Sequence, residues 1–181
     1  MEKYTLWIIL GIIFIGLIGP VLHFAYSTTP SLLIALFAPI NESPWEHLKL
    51  TFWPAMLFLI FEYFFLYRKH KPPNFNLGRT IGILLMPLVI IIFFYTYTAF
   101  TPGHESILGI DILSFYIGVI VGQLVSWKFY KSKPFSEKIN KFISLALIAM
   151  AIIFIIFTFY PPHLLPFQDP NDFTYGVFKL L

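Results

Sequence analysis

The densest run of reactive side chains is Asn41-Glu42-Ser43-Pro44-Trp45-Glu46-His47-Leu48-Lys49. Carboxylates and an imidazole this close together suit two kinds of chemistry. They can hold a divalent cation in a mixed His/carboxylate site, with zinc the first choice, or they can act as metal-free general acid and base. Ser43 followed by Glu46 reads as a capping box, and Pro44 takes the favoured first helical position, so part of the motif simply starts a helix. Capping does not account for Glu42 and His47, which stand between apolar segments where an unpaired charge is costly. Glu42, Glu46 and His47 are therefore the expected catalytic group.

Further polar residues fall near the ends of other apolar runs. His23 lies close to the end of the first run, His163 directly follows Pro161-Pro162, and Asp169 stands in Pro166-Phe-Gln-Asp-Pro170. With His47 they form the expected metal set: His23, His47, His163 and Asp169. His104 and Glu105, beside Gly103, read as solvated turn residues. Asp111 is explained by its place in a first helical turn, where the helix dipole favours an acid. Glu62 is expected to pair with Lys69 or to be protonated, and Gln123 and Ser126 to hydrogen-bond between helices. The motif search is otherwise negative. Glu46 and His47 are adjacent, about 100° apart on a helix, so no HExxH exists, and there is no GxSxG, P-loop or dinucleotide fingerprint. With no cysteine in the chain, disulfides, thiolate metal sites and thiol redox chemistry are excluded.

The elements that must position these residues are membrane spans. Of 181 residues 58% are hydrophobic and 12% charged, with mean hydropathy +0.79, against about 25% charged in soluble domains. Apolar stretches of roughly 20 residues match the ~30 Å hydrocarbon core of a bilayer. Five are expected, at about 5–26, 44–67, 79–100, 109–130 and 142–160. The fold class is thus an all-α integral membrane protein, a five-transmembrane-helix bundle forming a single domain over 1–181. The first run is too long for a signal peptide and lacks a cleavage site, so it reads as a retained anchor. Ser31–Ile40 is apolar but too short to cross, which predicts a re-entrant or interfacial half-helix between spans 1 and 2. Residues 161–181 read as a tail folded over the mouth of the bundle.

Charge sets the expected orientation. Arg68, Lys69, Lys71 and Arg79 follow the second span, and Lys128, Lys131, Lys133, Lys138 and Lys141 follow or end the fourth. The bias of Lys and Arg toward short cytoplasmic loops places both segments inside, in agreement with Lys3. The N-terminus is then cytoplasmic and the C-terminus extracytoplasmic, in a cell membrane. The reactive residues gather on the external side. The net charge of +3 lies beside spans and implies no nucleic-acid partner; the expected partners are the bilayer and a lipid or small-molecule substrate at its outer leaflet.

Asn-Glu-Ser-x-Trp-Glu-His-Leu-Lys (41–49), Tyr95-Thr-Tyr-Thr98, Gly122-Gln123 with Ser126, and Phe167-x-Asp-Pro with Tyr175-Gly176 together resemble a family of small bacterial polytopic membrane proteins, many from Firmicutes, of unknown function. The resemblance runs from about His23 to Gly176, and the first motif is its most specific part. A glycine expected between Asp169 and Tyr175 is missing. The resemblance implies no activity, but it places Glu42, Glu46, His47 and Asp169 within the family's motifs. Three readings stay open: a metal-assisted hydrolase or transferase acting on a lipid or lipid-linked substrate, a small transporter or channel, and a non-catalytic assembly or structural protein.

Overall fold

The computed structural model describes residues 3–177; the side chain of Lys3 and residues 178–181, with the chain end at Leu181, lie outside the described residues. Apolar runs of this length satisfy their backbone groups internally as helix. The chain accordingly folds as α1 (Lys3–His23), α2 (Ala25–Thr28), α3 (Leu32–Ala35), α4 (Pro44–His47), α5 (Lys49–Glu62), a π-helical turn at Tyr63–Tyr67, α6 (Arg68–His70), α7 (Phe75–Thr98), α8 (Leu108–Lys131), α9 (Glu137–Phe142) and α10 (Leu145–Phe159). The described residues contain no strand, only a bridge between Gln168 and Tyr175.

Five stretches are long and apolar enough to cross a membrane: Tyr4–Thr28, Pro44–His70, Phe75–Thr98, Leu108–Lys131 and Glu137–Phe159. The third starts at Phe75 and not at residue 79, so Arg79 belongs to a helix and not to a loop. The half-helix expected over 31–40 is shorter. Only Leu32–Ala35 is helical, with Ser31 Oγ accepting the Ile34 N–H at 3.2 Å. Beyond it the chain turns, and the carbonyls of Ala35 and Ala38 are satisfied by the buried ammonium of Lys49.

Small residues set the closest packing. On the α7–α8 seam a Cβ on Gly82 would sit 2.5 Å from the Gly122 carbonyl oxygen, and one on Gly118 2.9 Å from that of Met86. Helix α1 lies on α5 and α8, with Gly19 against the Leu50 carbonyl and Gly11 against the Gln123 amide. Ile15, Phe52, Ala55, Ile83, Met86, Val119 and Phe154 fill the core. Trp45 ties α4 to α10 and the tail, its ring 5.0 Å from Phe154 and 4.8 Å from Phe167 between centroids.

The five apolar stretches alternate in direction. One end gathers His23, residues 41–49, the 98–111 turn and the 160–177 tail. The other carries the lysine-rich loops, tied together by Asn74. In left-handed backbone (φ 53°), Asn74 donates to Ser132 Oγ and the Lys133 carbonyl, each at 2.9 Å, and its Oδ1 accepts from the Phe135 N–H at 2.7 Å and Asn140 Nδ2 at 3.0 Å.

Candidate functional site

Three side chains from separate pieces of chain converge at the first of these ends. His23 is the last residue of α1. Glu42 sits in the turn before α4, where Asn41 Oδ1 accepts the Ser43 N–H at 3.0 Å. His47 closes α4, whose start is set by Ser43 Oγ accepting the Glu46 N–H and by Pro44 at the first position. His23 Nε2 lies 3.1 Å from His47 Nε2, and Glu42 Oε2 lies 3.4 Å from His47 Nε2 and 3.9 Å from His23 Nε2. The histidine side chains are about 30% exposed and that of Glu42 is 50% exposed, so the cluster opens through its carboxylate.

The cluster is oriented by what lies behind it. His47 Nδ1 is 3.0 Å from the Ser43 carbonyl. A carbonyl only accepts, so Nδ1 carries a proton and aims Nε2 at the cluster: when Nε2 is also protonated it donates to the Glu42 carboxylate, and when it is not it offers a lone pair, as in histidines that bind metal. The Glu42 carboxyl is held below its ordinary range, first by its hydrogen bond with His47 and then by the charges of His47 and His23, against a partly opposing effect of burial. Asp169 Oδ2 accepts the Glu42 N–H at 3.2 Å and so fastens the tail to the turn that carries Glu42.

Glu46 faces the other way. Its carboxylate is buried, accepts the Ile40 N–H at 3.1 Å and pairs with Lys49 Nζ at 2.6 Å. The expected capping box is therefore half formed: Ser43 caps, but the Glu46 side chain does not return to the Ser43 N–H. Lys49 has no exposed surface, and its ammonium also reaches Thr158 Oγ1 at 2.7 Å and the Ala35 carbonyl at 3.0 Å. Sequence reasoning assigns Lys49 no role. The available signal is its separation of three residues from Glu46, which puts the two on one helical face.

Of the expected metal set, His23 and His47 come together with Glu42, which was expected only as a catalytic residue; among the described residues these three form the one group placed to share an ion. His163 and Asp169 stand apart from it. The His163 ring stacks on Tyr175 at 4.6 Å, because the tail turns back at the Gln168–Tyr175 bridge. Asp169 spends its oxygens on the backbone N–H groups of Glu42 and Asn171. His104 is an exposed turn residue, as expected. Asp111 accepts from the Tyr97 hydroxyl and is near enough to His47 to interact with its charge.

A second buried polar group lies toward the lysine-rich end. Glu62 pairs with Arg79 Nε at 2.7 Å and not with Lys69. Arg79 Nη1 donates to Gln123 Oε1 at 2.9 Å and to Ser126 Oγ at 3.3 Å. Gln123 and Ser126 thus bridge helices as expected. Reading Arg79 as a loop residue hides the real partner, since a cation beside an apolar run is indistinguishable by composition from one buried by pairing.

A protein-family model described as a family of unknown function (DUF6512) matches residues 1–177. No curated protein and no solved structure matches the chain.

Proposed function

We propose that this chain, which belongs to the DUF6512 family, is a multi-pass cell-membrane protein whose His23–Glu42–His47 cluster binds one divalent cation, zinc in the first instance. With the lysine-rich loops cytoplasmic, the cluster faces the extracytoplasmic side. There it serves metal-assisted hydrolysis or group transfer on a lipid or lipid-linked substrate.

The observation that carries this reading is donor spacing. Zinc bonds of about 2.0–2.1 Å at tetrahedral angles set donor atoms roughly 3.3 Å apart. The three pairs here stand at 3.1, 3.4 and 3.9 Å. Three protein ligands with a fourth position open is the pattern of catalytic zinc, where the open position takes water and lowers its pKa to about 7. Ion binding replaces the His23–His47 hydrogen bond and moves the His23 proton to Nδ1, which is buried without a partner. That costs roughly 1–3 kcal/mol, small beside the ~10–16 kcal/mol of zinc sites in peptides.

A channel reading finds less support. Along the second span Phe52, Ala55 and Phe58 are buried between His47 and Glu62, and Ile15, Ile83, Met86 and Val119 join them in the core, so apolar packing separates the two polar groups.

The test is elemental analysis of the detergent-purified chain and its His47→Ala variant. The expected result is about one zinc per chain, lost in the variant. A wild-type chain that neither retains zinc nor gains thermal stability when zinc is added overturns the reading.

A further inference from the structure

Building on the metal site just proposed, we infer that its substrate is a neutral carbonyl compound carrying a long apolar chain, an acyl ester or amide, and not a phosphate ester.

Charge is the first argument. A phosphoryl group carries one or two negative charges, and sites that act on it supply Arg or Lys side chains or further metal ions around its oxygens. Lys49 is the single Lys or Arg among the described residues at this end, Lys179 lying outside them. Its ammonium is fully buried, matched by Glu46 at 2.6 Å and shared among Thr158 and two backbone carbonyls, so it has nothing to offer a ligand. A doubly charged ion on two neutral imidazoles and the Glu42 carboxylate leaves one net positive charge. Asp111, whose charge reaches His47, partly offsets that, and the Asp169 carboxylate sits on the Glu42 backbone. Among the described residues an anionic substrate would find two carboxylates behind the site and no unpaired Lys or Arg. A carbonyl oxygen needs only the ion.

The second argument is the rim. The Phe24 ring lies tilted against that of His23, with 5.0 Å between centroids, and is 62% exposed. Leu32 and Leu33 on the neighbouring short helix are 60% and 69% exposed. Phe24 beside His23, and the exposed leucines of α3 packed on α2, suit an alkyl chain lying in lipid. The reaction is hydrolysis with water as sole co-reactant. Ion-bound water gives a proton to solvent at the exposed Glu42 edge, and the hydroxide adds to the carbonyl carbon. The C–O or C–N bond then breaks, and the leaving oxygen or nitrogen takes a proton from solvent, giving a carboxylic acid and an alcohol or amine.

The experiment uses the full chain in lipid nanodiscs, loaded with zinc and checked for metal content. A long-chain hydroxamate and an alkylphosphonate of equal length are titrated in, and fluorogenic acyl ester, acyl amide and phosphodiester lipids are offered as substrates. The hydroxamate is expected to bind at least tenfold tighter, and an acyl substrate alone to be cleaved. Asp111→Asn is expected to tighten phosphonate binding at least threefold more than binding of the hydroxamate, which chelates as a monoanion of lower charge, and this separates site charge from the probes' own affinity for zinc. Phosphonate binding as tight as hydroxamate, phosphodiester cleavage, or an unmoved ratio in Asp111→Asn overturns the inference. Zinc-loaded protein that takes neither probe overturns it too, while leaving the metal site standing. A chain that holds no zinc fails at the metal site itself.

Discussion

Lys49 and Thr158 are 109 residues apart, yet the ammonium of one lies 2.7 Å from the hydroxyl of the other, in surroundings from which water is excluded. The bond joins the start of α5 to the end of α10. Through Ala35 and Ala38 the same ammonium holds the turn segment that leads to Glu42. Truncating Lys49 leaves the buried Glu46 carboxylate without its cation, a change worth about 3–5 kcal/mol in buried pairs. Lys49→Met is therefore expected to lower the thermal unfolding temperature in detergent markedly. The double variant Lys49→Met/Glu46→Leu, which removes both charges, is expected to recover most of the loss. A double variant no better than the single one would show that the carbonyl and Thr158 bonds matter more than the charge pair.

Arg79 divides its guanidinium between two sides: Nε faces Glu62 and Nη1 faces Gln123 and Ser126. A lysine carries a single ammonium and cannot serve both. Arg79→Lys should thus destabilise by roughly 1–3 kcal/mol, the usual cost of leaving one buried polar group unpaired. Arg79→Leu in the presence of Glu62→Leu should be milder than Arg79→Leu alone. Denaturant unfolding of the three variants checks the order.

Two glycines, one on α7 and one on α8, make opposite predictions. A Cβ on Gly82 would meet the Gly122 carbonyl oxygen at 2.5 Å and crowd Ser126 Oγ, whereas one on Gly109 meets nothing within 4 Å. Gly82→Ala must push α7 off α8 and is expected to cost about 1–3 kcal/mol, the range for overpacking. Gly109→Ala, near the start of α8, gains backbone rigidity of up to roughly 1 kcal/mol. Equal melting temperatures for the two would mean the seam is looser than its geometry.

What the chain discloses unaided follows from how each property is encoded. The five long apolar helical stretches are legible because hydropathy accumulates locally over some twenty residues, and Ser43-Pro44 marks a helix start through neighbours alone. The meeting of His23 with His47 is half legible: alternating spans bring both to one end, but their 3.1 Å approach depends on how α1 lies against α4. The direction in which Glu46 turns is not legible. It is decided by Lys49, whose burial depends on acceptors at residues 35, 38 and 158. The distance between His163 and the cluster is set by the reversal that pairs Gln168 with Tyr175, and a proline-rich segment does not announce where it folds back.

Acid should act on the cluster in two ways. The Glu42 carboxyl is lowered in the folded chain, chiefly by its hydrogen bond with His47. Its contribution to stability is therefore complete above the unfolded value of 4.5 and is lost as pH falls through the lower folded value. In the absence of metal, Glu42→Gln is expected to flatten the stability profile below pH 4.5 and to lower stability near neutrality, where the Glu42 contribution is complete. With zinc present, protons compete with the ion for its ligands, so zinc-dependent stabilisation fades on acidification before the Glu42 effect begins. Thermal melts across pH, with zinc and with chelator, separate the two. A zinc increment that persists after Glu42→Gln and His47→Ala together would place the ion elsewhere.

The sidedness of the cluster can be read directly, because the chain has no cysteine and any introduced thiol is the only one. His104 is exposed in the turn at the His/Glu end, and Lys133 is exposed in a loop at the opposite end. Neither side chain touches the His23–Glu42–His47 cluster or the Glu62–Arg79 group, so His104→Cys and Lys133→Cys should fold as the parent does. In intact cells a membrane-impermeant maleimide is expected to label His104→Cys at once and Lys133→Cys only after permeabilisation. The reverse pattern would turn the cluster toward the cytoplasm and put the lysine-rich loops outside, against the charge bias that orients short loops. It would also remove the outer leaflet as the source of substrate while leaving the spacing of the three donor atoms untouched. Labelling thus tests the placement of the site separately from its chemistry.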